Sequence, residues 1–226
     1  VAKQITSCLN QNGVVLSLQN GLENEEILAK YIPKEKVIGG VIYIGSQLLD
    51  GYIVKHTSGG RVEFGKYFEE TNPEILEKLY NTLKSAQFKT ELSENIKKRM
   101  WTKIIWNAAF NPLSVIIEAV VMDMIKSENC REILTKAMRE VIQVAAAEGI
   151  EIPETIIDSN LQPQTNLGEF KTSMLQDFER KNKMEHYYIN GAIIRFGKKH
   201  NIPTPINEML YNLVEYKYQK FIALTI

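Results

Sequence analysis

The sequence predicts two regions of different class, an α/β part that gives way near residue 90 to an all-α part. Three observations predict this. Short apolar, β-branched runs alternate with helical patterns in the first part, and glycine, proline and asparagine punctuate them. After about residue 93 strand signals stop. From there on, apolar residues recur at helical spacing over long stretches.

The elements follow in order. The segment from Val1 to Leu9 reads as the end of a helix entered partway along. Val14-Val15-Leu16-Ser17-Leu18, bounded by Asn12-Gly13 and Asn20-Gly21, is a short buried strand. Leu22, Ile27, Leu28 and Tyr31 share one face of a helix from Leu22 to Ile32, stopped by Pro33. Val37 to Ile44 is again strand-like and leads to a turn at Asp50-Gly51. Tyr52 to His56 and Arg61 to Phe64 flank Ser58-Gly59-Gly60, the pattern of a β-hairpin with a glycine turn. Asn72 then caps a helix that starts on Pro73 and runs to about Ala86, and Phe88, Thr90 and Leu92 alternate as a last strand.

In the second part, Ile133, Leu134, Ala137, Met138, Val141, Ile142 and Ala145 form one apolar stripe, ended by Gly149 and Pro153. A less regular stretch runs from Ile150 to about Lys171. Two further helices are expected from about Ser173 to Lys199 and from Thr204-Pro205 to about Ala223.

Composition narrows the function. The chain has 226 residues, with 27 Lys and Arg against 27 Asp and Glu, and 44% hydrophobic residues. That supports a folded core, and a net charge of zero argues against a nucleic-acid or anionic-membrane surface. No apolar run reaches the roughly 18 residues of a transmembrane helix, and the first residues lack a signal-peptide pattern. Cys8 and Cys130 cannot build a disulfide framework and read as free thiols of a reducing compartment. His56, His186 and His200 lack metal-ligand spacing, and neither a nucleophile elbow nor a P-loop occurs.

The segment Trp101 to Pro112 carries most information. Lys103, Asn107 and Asn111 follow at i, i+4 and i+8, within about 80° on one helix face. The other positions are bulky and apolar, so the helix is buried and its polar line needs partners. Pro112 cannot donate to the carbonyl of Ala108, and a break there would open the helix toward a ligand. Two readings stand: a structural polar seam, or a cleft where a lysine meets a carbonyl or carboxylate and two amides orient it. Burial lowers a lysine pKa toward neutrality, which suits general-acid work.

Asn20 sits between a strand and a helix, where ligands of open sheets collect, or else in a simple turn. Ser173 opens a helix as its N-cap, at a position suited to a carboxylate ligand or to capping alone. Glu185, Asn190 and Gly191 lie in the patterned stretch Met184 to Gly191, in which a helical Glu is otherwise a solvated residue.

Taken in order, these stretches resemble the ketopantoate reductases (2-dehydropantoate 2-reductases). The matching pieces are Leu18 to Leu22, Gly39-Gly40-Val41 to Gly45, Trp101-Thr102-Lys103 through Asn111-Pro112, Ser173 to Asp177, Glu185 with Asn190-Gly191, and Pro203-Thr204-Pro205. The resemblance implies the carboxyl-terminal part of a Rossmann-type dinucleotide-binding domain over 1–92. It further implies a helical substrate and dimerisation domain, similar to the 6-phosphogluconate dehydrogenase carboxyl-terminal domain, over 93–226. It implies NADPH-dependent reduction of ketopantoate to pantoate, or of a close 2-oxo acid, in cytoplasmic pantothenate and coenzyme A biosynthesis. Lys103 is then the general acid and Glu185 a catalytic and cofactor-binding partner. Asn20 contacts both substrate and cofactor, Gly45 approaches NADPH, and Asn107, Asn111, Ser173 and Gln176 bind substrate. A homodimer is plausible for such a helical domain; no membrane, nucleic-acid or metal partner is expected.

The sequence departs from the family in three ways. The Gly-x-Gly-x-x-Gly turn that opens such domains is absent, so the amino-terminal half of the nucleotide-binding domain is expected to be missing, and with it the residues that choose between NADPH and NADH. This favours an alternative reading, a catalytically incomplete fragment kept as a binding or dimerising module. Met184 stands where Thr is common and Tyr187 where Asp is common. Val121 falls where some members use a further Asn.

Overall fold

The computed structural model describes residues 2–49, 51–163 and 169–223. Two compact units are distinguished, Val1–Gln19 with Glu23–Met100, and Asn20–Leu22 with Trp101–Ile226.

The first unit holds helices α1 (Ala2–Cys8), α2 (Asn24–Leu28) and α3 (Pro73–Ser85) and strands β1 (Val15–Ser17), β2 (Val37–Leu49), β3 (Ile53–Gly65) and β4 (Lys89–Ser93). The strands form one sheet in the order β1-β2-β3-β4. β1 runs parallel to β2, β2 antiparallel to β3, and β3 parallel to β4. Side chains alternate across a strand, so neighbouring residues pack on opposite faces. Val15 and Val37 accordingly join Leu28, Ile32 and Phe68 with α1 and α2, whereas Leu16 and Ile38 join Phe64 and Leu76 with α3. A sheet covered by helices on both faces is what the carboxyl-terminal part of a Rossmann-type domain requires.

Three expectations are corrected here. The hairpin does not turn at Ser58-Gly59-Gly60. β3 passes straight through these residues and pairs with β2, and the connection runs through residues 50–52, of which Gly51 has φ 77° and Asp50 lies outside the described residues. The two glycines instead serve a β-bulge: Tyr43 pairs with Arg61 and Ile44 with Gly59, so the register slips by one residue. Gly59 has φ 73°, and a Cβ there would stand 2.4 Å from the Tyr43 carbonyl oxygen. β2 also extends five residues past Ile44. The helix expected from Leu22 to Ile32 is only α2, followed by a tightened turn in which Tyr31 and Ile32 both donate to the Leu28 carbonyl.

The second unit is helical. It contains most of α4 (Ile96–Ile117), then α5 (Val121–Lys126), α6 (Glu128–Ala147), α7 (Thr155–Asn160), α8 (Ser173–Glu179), α9 (Asn190–Lys199) and α10 (Pro205–Ala223). Leu134, Ala137, Met138, Val141, Ile142 and Ala145 are buried as the stripe predicts. α4 is buried along most of its length and does not break at Pro112, which sits inside a continuous helix.

The single helix expected from Ser173 to Lys199 is two, α8 and α9, with residues 180–189 between them. α8 stops because Lys181 adopts φ 62°. Asn182 N–H then donates to the Asp177 carbonyl (2.8 Å) and Lys181 N–H to the Phe178 carbonyl (3.1 Å), a Schellman ending built without glycine.

Gly59→Val should destabilise the first unit by about 2 kcal/mol or more, from strain at a left-handed residue and the clash at Tyr43. Urea unfolding measures this, and a wild-type midpoint would remove the bulge from the account.

Candidate functional site

α4 is the base of the candidate site in the second unit. Asn107 is 7% exposed and Asn111 1%, while Lys103 is half-buried. Asn111 Oδ1 has no hydrogen-bond partner among the described residues, which leaves an acceptor on the polar line. Trp106 stacks on Phe110 with ring centroids 4.7 Å apart, and both rings lie on this same helix. Burial lowers the Lys103 pKa to about 8, and the negative charge of Glu185 acts in the opposite direction. Glu185 in turn accepts a hydrogen bond from Asn20 Nδ2 at 2.9 Å. Lys103, Glu185 and Asn20 thus form one electrostatic group assembled from three distant stretches of chain.

Glu185 is not on a helix. It lies between α8 and α9, where its carbonyl accepts from the N–H groups of Tyr188 (2.9 Å) and Ile189 (3.1 Å). The next residue, His186, is buried and its Nε2 meets Glu215 Oε2 at 2.6 Å, tying the segment to α10. That hydrogen bond holds the Glu215 carboxyl below its usual range.

Ser173 is exposed at the first position of α8, and the cap is its neighbour Thr172 rather than Ser173 itself. Thr172 Oγ1 accepts from Leu175 N–H (3.1 Å) and lies 2.6 Å from Ser114 Oγ, whose own proton goes to the Asn111 carbonyl (2.7 Å). The Ser114 hydrogen is therefore used, and Thr172 is the donor between the two hydroxyls. This chain of hydroxyls seats the start of α8 on α4 beside Asn111. Gln176, one turn along α8, is half-buried and donates to the Lys171 carbonyl at 3.0 Å.

Gly45 lies in the first unit, on β2. A Cβ there would stand 2.4 Å from Ser58 Oγ, and the Gly45 carbonyl accepts from Thr57 Oγ1 at 3.0 Å, so any larger residue would require the hydroxyls of β3 to shift. Ser114, Thr172 and the His186–Glu215 pair escaped the sequence reading. The Ser114–Thr172 and His186–Glu215 contacts join residues 58 and 29 positions apart, which no local pattern reveals.

Both units of the chain match known families over most of their length. The family described as ketopantoate reductase PanE/ApbA C terminal covers residues 95–218, and that described as ketopantoate reductase PanE/ApbA covers residues 1–69. The 2-dehydropantoate 2-reductase of Archaeoglobus fulgidus is 35% identical over 89% of this chain and 67% of its own length. That of Pyrococcus abyssi is 32% identical over 90% and 67%. The chain therefore spans about two thirds of the length of these relatives. A structure of D-mandelate dehydrogenase with NADH and anilino(oxo)acetate superposes with a TM-score of 0.90 at 28% identity, over 97% of this chain and 72% of that one. The 2-dehydropantoate 2-reductase of Geobacter metallireducens gives 0.86 at 30% identity, over 92% and 69%. With one match covering more than half of its residues, the chain belongs to the ketopantoate reductase family.

Lys103 sets a prediction with a definite sign. Its pKa is about 8 when folded against an ordinary 10.5, so between those values the unfolded chain holds more protons and stability rises with pH. Below about 8 both forms are protonated and the burial cost is fully present. Lys103→Met should therefore raise the Tm at pH 7, with the gain fading as pH climbs from about 8 to 10.5. A lower Tm at pH 7, or a gain that persists above that window, would sink the assignment.

Proposed function

We propose that this chain carries the substrate-reducing machinery of an NADPH-dependent reductase that converts 2-dehydropantoate to pantoate, a step towards pantothenate and coenzyme A. The observation that carries this reading is a half-buried lysine amine with a pKa near neutrality, in line with two buried asparagines and coupled to a carboxylate. A bound reduced nicotinamide supplies the hydride that forms the new C–H bond at C2. As the carbonyl electron pair moves onto oxygen, the Lys103 ammonium faces the developing alkoxide and gives it a proton from Nζ.

The other residues act around that transfer. Asn107 and Asn111 orient the oxo-acid, and the unpaired Oδ1 of Asn111 suits a substrate hydroxyl. Ser173, held at the start of α8 by Thr172, and Gln176 receive the carboxylate end. Glu185 keeps the Lys103 ammonium from losing its proton too early, and with Asn20 it would hold the nicotinamide end of the cofactor. The donor set fits such a group, since a carboxylate and a side-chain amide meet there.

A second reading keeps the chemistry and changes the acid. Met184 and Val121 are both buried and Tyr187 is half exposed; the family resemblance has Thr common at the first position, Asp common at the third and Asn in some members at the second. The D-mandelate dehydrogenase likeness, with NADH and anilino(oxo)acetate bound, supports a bulkier 2-oxo acid and the other nicotinamide cofactor.

Calorimetric titration with NADPH and with NADH, followed by turnover on a panel of 2-oxo acids, separates the two. Ketopantoate and NADPH preferred supports the first; another acid preferred supports the second. Lys103→Ala should lower kcat by roughly 10²–10⁴-fold, the usual worth of a general acid, and a near-wild-type rate would remove Lys103 from the chemistry. Failure to bind either cofactor would leave a folded module without the activity.

A further inference from the structure

The helix α4 contains a gap in its own hydrogen bonding. A proline has no N–H, so Pro112 cannot donate to the Ala108 carbonyl four residues earlier. Ala108 is fully buried, and a buried carbonyl left without a donor is costly. Asn190, the first residue of α9 and itself fully buried, fills the gap: its Nδ2 donates to the Ala108 carbonyl at 2.8 Å. The second Nδ2 hydrogen goes to Asn207 Oδ1 at 3.0 Å.

The orientation of this amide is secure. Turning it over would set Oδ1 against two oxygen atoms, the Ala108 carbonyl and Asn207 Oδ1. Asn207 is held in its own orientation because its Nδ2 donates to the Ala137 carbonyl (3.1 Å) and to Glu140 Oε2 (2.8 Å). Glu140 also takes the N–H groups of Ile206 and Asn207 at the start of α10. The anchor therefore joins α4, α6, α9 and α10.

Asn190 stands five residues after Glu185, and the span between them is short of freedom. Ile189 N–H donates back to the Glu185 carbonyl, Gly191 N–H donates to the His186 carbonyl at 3.0 Å, and His186 is pinned to Glu215. At the other end, Ala108 stands five residues after Lys103 on one rigid helix. We propose that Asn190 is a positioning residue, which uses the carbonyl freed by Pro112 to set Glu185 against Lys103. The inference rests on the pairing of Lys103 with Glu185, and not on which substrate is reduced.

The test follows the titration of Lys103 in this chain by NMR of isotope-labelled lysine side chains, alongside thermal unfolding. Glu185→Gln sets the scale: losing the carboxylate should lower the Lys103 pKa. Asn190→Ala should shift Lys103 in the same direction by at least half as much, and should lower the Tm. The double variant Pro112→Ala/Asn190→Ala returns a backbone N–H to the Ala108 carbonyl. It should recover most of the lost Tm while Lys103 stays shifted, because the backbone donor satisfies the carbonyl without holding α9.

A wild-type Lys103 titration in Asn190→Ala, or recovery of both Tm and titration in the double variant, would make Asn190 purely structural. Should the single variant fail to fold, the double variant alone decides: a wild-type titration there overturns the proposal. An unchanged titration in Glu185→Gln overturns it as well, since no pairing would remain to be positioned. Loss of 2-oxo acid reduction is a separate result. It would overturn the proposed function and leave this readout intact.

Discussion

Lys103, Asn107 and Asn111 put three polar side chains on one face of a helix that is buried along most of its length, and Pro112 adds a backbone carbonyl that the helix cannot satisfy by itself. Water does not reach most of these atoms, so other elements of the second unit supply partners, while Asn111 Oδ1 has none among the described residues. Asn190 answers the Ala108 carbonyl, Thr172 meets the Ser114 hydroxyl of α4, and the Glu185–Asn20 pair provides the charge beside Lys103. Satisfying the helix thus brings α8, α9 and the segment between them onto α4. The same hydrogen bonds that hold these helices together gather the candidate site.

The way helices end matters as much as the way they pack. α3, α6, α8 and α9 all close through the same pair of backbone bonds, with a residue of positive φ at Gln87, Gly149, Lys181 and Asn201. The glycine rule finds only Gly149. At Lys181 the consequence reaches the chemistry, because stopping α8 there releases Met184 to Ile189 from helical geometry. Glu185 can then turn its carboxylate to Asn20 while His186 turns to Glu215. Had the helix continued from Ser173 to Lys199, residues 185 and 186 would stand about 100° apart on a rigid cylinder with no such independence.

Lys103 shows a cost of burial in the same terms. An ammonium that gives up its proton near neutral pH must be partly removed from water, and that removal destabilises the folded protein wherever the amine is charged. Glu185 offsets part of the penalty and so favours the protonated amine. The bulge at Gly59 in the first unit is a strain of another kind, purely steric, and it belongs to the register of the β2–β3 pair.

Local pattern was enough for much of this. Asn72-Pro73, the stripe on α6, the strand at Val15 to Ser17 and the shared face of Lys103, Asn107 and Asn111 all depend on residues within a few positions of one another, and so can be read along the chain. The family, too, was legible, since its ordered motifs survive in the sequence whatever the packing. The bulge was misread as a turn because two glycines of positive φ serve either purpose, and only the partner strand decides between them. The break at Lys181 and the cap at Thr172 were missed because a non-glycine left-handed residue and two adjacent hydroxyl residues leave no distinct signature. That Pro112 leaves a carbonyl wanting a donor follows from its covalent ring and can be read along the chain. That Asn190, 82 residues away, supplies the donor depends on the packing of α9 against α4, which no local pattern encodes.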